Sequence, residues 1–324
     1  MRLTFHQPGL PADVLRLEPY EPAAPQRHEV LVRMLYAPIN PADLNFIEGT
    51  YGKQPTFPAL PGNEGCGRVE AVGSEVESLA VGDLVILLHP IGTWSRYLLA
   101  AENQFARLPA TLDPIQASML RVNPTTAWQM LHEFRTLLKG EYVLQNASNS
   151  GVGRAVIQIA AHLGLQTINF VRRAEVMEEL CTQGAETVLL DNDQGVAEAR
   201  ELLGKKSLRL ALNAVGGDSA LRQMELLAPG GAQVTYGAMS RKSLKVPNKF
   251  LIFKNLEIRG YWLTRWIEHA SHAQIAEVLK PLADMMLHGK LTLPIHQIVP
   301  LENFRDAVHL AAQDGRNGKV VLAL

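Results

Sequence analysis

A chain of 324 residues with 31 basic and 32 acidic side chains, a formal net charge of −1, is long enough for two domains and gives no electrostatic reason to expect nucleic acid or an anionic membrane as partner. Its two cysteines, Cys66 and Cys181, exclude a disulfide framework and a Cys-rich zinc lobe, and their use fits a reducing cytoplasm. The first residues, MRLTFHQPGL, show no export or organelle signal, and no apolar run approaches membrane-spanning length, so a cytoplasmic location is expected.

From Arg2 to about Ala101 the chain consists of short strands punctuated by proline and glycine. His28 to Leu35, Gly67 to Val72 and Asp83 to Leu88 alternate as strands do, and Pro38, Pro41, Gly73 and Gly82 mark turns between them. This spacing predicts a compact β-barrel-like domain. Cys66, between Gly65 and Gly67, reads as a small buried hydrophobe.

From about Asn123 to Leu263 strand and helix alternate, which predicts a doubly wound parallel sheet. Tyr142 to Gln145 opens it and is followed by a turn of small residues, Asn146 to Gly153. Val152, Ala155, Val156, Ile159, Ala160 and Leu163 then recur at helical spacing, Gly164 ends the helix, and Thr167 to Val171 is the next buried strand. Ala185 to Leu190, Leu208 to Val215, Ala232 to Tyr236 and Leu256 to Tyr261 read as further strands. The tail carries helices around Ala273 to His288 and Glu302 to Gln313, a Pro-containing extended piece between them and a last strand, Lys319 to Leu324. It lacks the sheet's rhythm and is expected to return to the first domain.

A helix opened by a tight turn presents unpaired backbone N–H groups and the positive end of its dipole, which is where dinucleotide folds hold the pyrophosphate. Aligned on Gly153, the first two glycine positions of that fingerprint fall on Ser148 and Ser150. Serine is small enough to let a phosphate approach and brings a hydroxyl donor, at the cost of glycine's access to positive φ. About twenty residues beyond the turn, where NAD-binding units carry a carboxylate for the ribose, stand Arg172 and Arg173. Two guanidiniums there favour the 2′-phosphate of NADPH over NADH.

Residues 60–86, LPGNEGCGRVEAVGSEVESLAVGDLVI, resemble the GroES-like domain of the medium-chain dehydrogenase/reductase superfamily, matching at Gly62, Glu64, Gly65, Gly67, Gly73, Gly82 and Asp83. Asn63 stands where zinc alcohol dehydrogenases of that superfamily have a ligand histidine, and Asn40 where they have the catalytic cysteine. Zinc needs three or four converging Cys, His or carboxylate ligands, so no metal is expected. His269 and His272, three apart, have no evident third ligand and read as solvated residues at a helix start.

Within the superfamily the chain is most similar to the NADPH-dependent 2-enoyl thioester reductases, the mitochondrial trans-2-enoyl-CoA reductase type. The segments INPADLNFIEGTYG from Ile39, GNEGCG from Gly62, VNPTTAWQML from Val122, QNASNSGVGRAVIQIA from Gln145 and LIFKNLEIRGYWL from Leu251 carry the likeness. Quinone reductases share the Asn-Pro and Gly-Thr-Tyr elements, and Arg121 departs from the pattern, standing where a small residue is usual.

The resemblance implies an α/β protein with a GroES-like β-barrel catalytic domain, residues 1–120 and 264–324, and a Rossmann doubly wound domain binding NADPH, residues 121–263. It implies Tyr51 of the Gly-x-Tyr loop as the catalytic residue, hydrogen-bonding the thioester oxygen as an enolate develops there and assisting protonation. The implied cofactor contacts are Asn123, Asn149, Ser150, Gly151, Val152, Gly153, Arg172, Arg173, Tyr236, Met239, Tyr261, Trp262, Leu263 and Lys319, with Trp128 and Trp262 as candidates for an acyl pocket. The expected activity is hydride transfer to the β-carbon of a 2-enoyl thioester carried on coenzyme A or acyl carrier protein. A quinone or enone reductase of the same architecture is the alternative enzyme, and a non-catalytic NADPH-binding sensor or structural protein is the alternative of another class. A homodimer is expected, joined through the strand near Leu256 to Tyr261.

Overall fold

The computed structural model describes residues 1–324, which divide into two compact units, Met1–Val122 with Trp266–Leu324, and Asn123–Arg265. Both junctions fall two residues beyond the expected 120 and 263. The tail belongs to the first unit.

The second unit is built on six parallel strands: β1 (Tyr142–Gln145), β2 (Gln166–Val171), β3 (Thr187–Leu190), β4 (Leu210–Asn213), β5 (Ala232–Thr235) and β6 (Glu257–Gly260). Their order across the sheet is β3-β2-β1-β4-β5-β6. It reverses between β1 and β4, which is the topological switch point of a Rossmann sheet. The central strands β1 and β4 are buried at every position, as expected when helices cover both faces, and this is why Tyr142–Leu144 and Leu210–Leu212 read as apolar runs. The helices are α1 (Asn123–Glu133), α2 (Gly151–Leu163), α3 (Met177–Thr182), α4 (Asp193–Leu203), α5 (Gly217–Leu226) and α6 (Asn248–Ile252). Leu144, Ile168, Phe170, Ala211 and Met224 anchor one core, and Ile157, Val171, Leu180 and Ala185 form a second cluster.

Four strand positions in this sheet are buried amides rather than aliphatics. Gln145 donates to Asn169 Oδ1 (2.7 Å) and to the Gly153 carbonyl (2.9 Å), while Gln233 donates to Gln223 Oε1 (3.0 Å). Asn213, at the end of β4, has its Oδ1 taken by the amides of Val215 (3.2 Å) and Gly216 (3.0 Å). Buried polar groups persist where each finds a partner, and these rungs tie strand ends to the turns that follow them.

The first unit is a seven-stranded, mostly antiparallel sheet that runs in the order Ile295–Pro300, Lys319–Ala323, Glu29–Pro38, Cys66–Val72, Leu84–Leu87, Phe105–Arg107, with Tyr97–Ala101 also pairing on Glu29–Pro38. The long strand Glu29–Pro38 therefore has neighbours on both edges, and its last residues pair with the final strand of the chain, Val321 opposite Pro38 and Leu322 opposite Ala37. The Pro-containing piece of the tail is the edge strand Ile295–Pro300, parallel to Lys319–Ala323. One core gathers Phe5, Leu15, Ile39, Trp94, Leu301, Phe304 and Leu322, and the other gathers Val30, Val32, Val69, Val85, Leu98 and Phe105. Cys66 is buried and donates to the Pro114 carbonyl (2.8 Å), and burial pushes its thiol pKa up to about 12. His269 closes the helix Leu263–His269 and His272 opens the helix His272–Leu287, so the two do not share a helix face. No helix is long and apolar enough to cross a membrane.

Candidate active site

The turn between β1 and α2 is tightly built. Ser150 is the N-cap of α2, its Oγ accepting the Gly153 N–H (3.1 Å) and its carbonyl the Arg154 N–H (2.9 Å). This leaves the leading amides, those of Gly151 and Val152, at the positive end of a thirteen-residue helix. Gly153 is required by contact rather than by φ, since a Cβ built there would lie 2.5 Å from the Ser148 carbonyl oxygen.

The fingerprint reading needs a correction at Ser148. Its backbone N–H and its hydroxyl both reach the Phe170 carbonyl in β2, at 3.2 and 3.1 Å, and its side chain is fully buried. The hydroxyl is therefore a strut to the neighbouring strand and not a phosphate donor. The left-handed residue of the turn is Ala147, with φ +48°, one position before the serine that replaces the first glycine. Behind the turn, Asn146 Nδ2 donates to Asn213 Oδ1 (2.9 Å) and Ser219 Oγ (2.7 Å), and its Oδ1 accepts the Ala214 N–H (2.7 Å). Ser219 in turn donates to Asp191, which also binds Arg222 (2.7 Å). Arg154, nearly fully buried, holds the Asn149 carbonyl (3.1 Å) and forks onto Glu179 in α3 (2.8 and 3.0 Å). The sequence marks Asn146 only as part of the turn and does not single out Asn213 or Arg154, although a polar residue closing or following an apolar strand is a usable signal in the two asparagines.

The other expected residues of this unit lie at or after strand ends. Arg172, exposed, and Arg173, half-buried, follow β2 directly. Tyr236 follows β5 with its hydroxyl buried and turned toward Ser150 without closing a well-formed hydrogen bond, and burial raises its pKa. The Tyr261 hydroxyl after β6 is likewise buried and without a partner, its ring edge-on to Phe134 at 6.3 Å between centroids. Met239 and Trp262 are exposed, whereas Leu263 is buried. Asn123 is buried at the first residue of α1. Trp128, one turn further along that helix, stacks on His132 with ring centroids 4.5 Å apart.

In the first unit, Tyr51 lies in the loop after the helix Pro41–Ile47, half-buried, its N–H on the Asn45 carbonyl (3.1 Å) and its carbonyl held by Gln54 (3.2 Å). Gly49, with φ +74°, makes the turn that begins this loop. The helix starts from a buried charged cluster. Asp43 accepts the N–H groups of Asn40 (2.7 Å) and Asn63 (2.8 Å), and burial, opposed by these donors, pushes its pKa up to about 7. Asn40 Nδ2 donates to Glu64 Oε1 (2.7 Å), and Asn40 Oδ1 accepts from Lys319 Nζ. Glu64 Oε2 takes the Val122 N–H (2.7 Å), and burial raises its pKa. Arg121 binds the carbonyls of Leu88 (2.9 Å) and Asn63. Burial also lowers the pKa of Arg121, and that of Lys319 to about 8, against the pull of Glu64. Two carboxylates and two cations offset one another here, the condition under which buried charge persists. Lys319, expected among the cofactor contacts, has Asn40 as its partner within this cluster.

Against known protein families, residues 26–110 match the alcohol dehydrogenase GroES-like domain and residues 151–283 the zinc-binding dehydrogenase model. A relative named mitochondrial enoyl-[acyl-carrier-protein] reductase, from Mus musculus, is 40% identical over 328 residues, which covers 99% of this chain and 88% of the relative. The chain belongs to the enoyl thioester reductase family of medium-chain dehydrogenases/reductases. Among solved structures, the complex of Etr1p with NADP and crotonyl-CoA superposes with a TM-score of 0.92 at 28% identity, covering 100% of this chain and 99% of that one. The Escherichia coli quinone oxidoreductase complexed with NADPH gives a TM-score of 0.89 at 26% identity, with the same coverage. Proteins named for either activity thus share this backbone, and the relative at 40% identity is named an enoyl reductase.

The zinc that one family description names does not fit these residues. Both polar atoms of the Asn40 amide are engaged, one as a donor, and the Cys66 thiol stays protonated and bound to a carbonyl. No group of three or more His, Cys, Asp or Glu is placed to hold a metal ion. A dinucleotide does fit the second unit, where a glycine-tight helix N-terminus, two arginines after β2 and two partnerless buried phenols lie at the C-terminal side of the sheet.

Proposed function

We propose that this protein reduces the conjugated double bond of a 2-enoyl thioester with NADPH. The observation that carries the reading is the Asn40–Glu64–Lys319 network, which occupies the place of a metal site and anchors the helix leading directly to Tyr51. A site of this composition polarises a carbonyl through a hydroxyl rather than through a Lewis acid. NADPH, when bound, supplies the hydride. The amides of Gly151 and Val152 and the dipole of α2 hold its pyrophosphate, Arg172 and Arg173 its 2′-phosphate, and Asn123, Asn149, Tyr236, Met239 and Tyr261 to Leu263 line the remainder.

The Tyr51 hydroxyl donates to the thioester oxygen, where charge accumulates as hydride reaches the β-carbon, and it then assists proton delivery to the α-carbon. Its contribution is largest in the transition state, because the enolate oxygen carries more charge than the ground-state carbonyl. Tyr51→Phe keeps the ring and removes the donor. Its expected effect is a fall in kcat of about 10² to 10³, with NADPH affinity and folding nearly unchanged. The likeness to a quinone oxidoreductase supports a second reading, and the same protein separates the two. A panel of short and long enoyl-CoA substrates and several quinones, with NADPH and NADH as donors, should show enoyl turnover that depends on Tyr51. Quinone turnover without enoyl turnover, or equal enoyl kcat in Tyr51→Phe with hydride transfer rate-limiting, would assign the protein to the quinone reductases.

The open edge of β6, flanked by exposed Leu251, Ile252 and Phe253, supports a homodimer formed through that edge.

A further inference from the structure

The connection between β5 and β6 has a charge pattern unlike the chain as a whole. Basic and acidic side chains almost cancel overall, yet Ala238 to Leu256 contains Arg241, Lys242, Lys245, Lys249 and Lys254 and no Asp or Glu. The first four are exposed, and none is paired with a carboxylate. Lys254 behaves differently. Its ammonium caps the end of α5, on the carbonyls of Met224 (3.3 Å), Glu225 (3.0 Å) and Leu227 (2.9 Å), and so pins the connection where it rejoins the sheet.

The other end is pinned as well. The N–H groups of Met239 and Ser240 bond to the Ala214 and Val215 carbonyls (both 3.0 Å), and the Ser240 hydroxyl donates to Val215 (2.7 Å). Arg241 takes the left-handed conformation, φ +56°, and the Lys242 N–H returns to Ser240 Oγ (3.2 Å). In between, Phe250 is buried and Lys249 lies over its ring, 5.0 Å from the centroid. The four exposed cations thus stand on an anchored backbone.

Like charges held together without counter-charge repel one another and lower the stability of the fold, and an anionic partner removes that penalty. The connection leaves the sheet at the C-terminal end of β5, the side on which this fold holds its nucleotide, with Lys242 against Gly216 and Gly217, and it runs back along the sheet to Lys249 beside the end of α5, so a partner docked along it reaches the site at its Arg241–Lys242 end. An enoyl thioester arrives either on coenzyme A, a small nucleotide that needs a concave pocket, or on acyl carrier protein, a small acidic domain with a flexible arm. Four exposed cations spread along residues 241–249 suit a protein face.

We propose that Arg241, Lys242, Lys245 and Lys249 form the docking face for an acidic acyl carrier protein that delivers the enoyl thioester. This rests on the enoyl thioester reading above. The test uses the full-length protein and its R241E/K242E/K245E/K249E variant, with holo acyl carrier protein titrated into each and steady-state kinetics on crotonyl thioesters of the carrier protein and of coenzyme A. Charge reversal should weaken carrier binding and raise KM for the carrier-borne substrate by about tenfold or more, while kcat, KM for crotonyl-CoA and KM for NADPH stay within about twofold. Added salt should weaken carrier binding to the wild type far more than to the variant. Because the four side chains are exposed, the variant should melt with the wild type, and Lys245→Glu and Lys249→Glu singly should give intermediate losses. Unchanged carrier binding overturns the proposal, and so does an equal rise in KM for crotonyl-CoA, which would make the array a phosphate-binding surface for the free coenzyme. Failure of the wild type to turn over either thioester strikes the enzymatic reading instead, and the titration still decides the docking face.

Discussion

Arg172 and Arg173 stand where a carboxylate would select NADH, and the proposed site gives this exchange of sign the choice of cofactor. A charge-assisted contact to a phosphate contributes about 1.5–3 kcal/mol, so Arg172→Ala or Arg173→Ala should weaken NADPH roughly tenfold to a hundredfold. NADH, which lacks the 2′-phosphate, should bind both variants nearly as it binds the wild type. Fluorescence titration with the two cofactors measures this, and unchanged discrimination in both variants would remove the arginines from the site. The sequence singles out these two residues because their position just after the strand can be read from it, and the structure places them there. Lys319 could not be read in the same way. Asn40 and Asn63 announce that metal ligands are missing, but nothing in their neighbourhood tells that an ammonium 279 residues further on occupies the amide oxygen of Asn40. Ser148 shows the opposite limit. Its type suited a phosphate donor, and only the proximity of the Phe170 carbonyl turned its hydroxyl inward.

The turn and helix that follow β1 form one element whose shape depends on a single missing side chain. A methyl group on Gly153 would lie 2.5 to 2.7 Å from three backbone atoms of Ser148, well inside contact distance, and backbone cannot yield as a flexible side chain does. Ser148 is itself bound to β2, so relief must come from tilting α2 and moving the amides of Gly151 and Val152. Gly153→Ala should cost about 1–3 kcal/mol of stability and weaken NADPH by tenfold or more, as seen by thermal melting with and without cofactor. A variant with wild-type melting and affinity would show that the turn is not the cofactor's cradle. Strands of the sheet were legible because burial on both faces leaves apolar runs that nothing else explains. Their ends were drawn too long, as at Leu208 to Val215 against β4, because Asn213 closes its strand through its side chain, and periodicity does not register such a bond. The amide rungs of the sheet escaped notice for the same reason, since Gln145 and Gln233 are polar by type and buried only by context.

At the scale of the molecule, the division into two units and the return of the tail to the first were legible from rhythm alone, because alternation of strand and helix stops after Leu263. The pairing that completes the first unit, Lys319–Ala323 against Glu29–Pro38, joins the two ends of the chain and no local pattern encodes it. Assembly depends on what the second unit leaves uncovered. In β6 the N–H of Glu257 bonds to Gly231 (2.9 Å), and that of Tyr261 after it to Thr235 (2.9 Å), so the alternate residues Ile258 and Gly260 direct their polar groups to the open edge. An uncovered edge is a template for a second strand, and a two-fold axis beside it would pair β6 with its own copy. Just before this strand, Ile252 is 69% and Phe253 81% exposed, an apolar area that a lone chain gains nothing by displaying. Sedimentation should therefore find a particle of twice the 35.6 kDa chain mass at micromolar concentration. Phe253→Glu places a charge on that surface, where a lone chain tolerates it and a dry interface does not. It should raise the dimer dissociation constant by about a hundredfold, or roughly 3 kcal/mol, and leave secondary structure unchanged by circular dichroism. A wild-type monomer across the same concentrations, or a Phe253→Glu protein that stays dimeric, would show that this edge is not the interface.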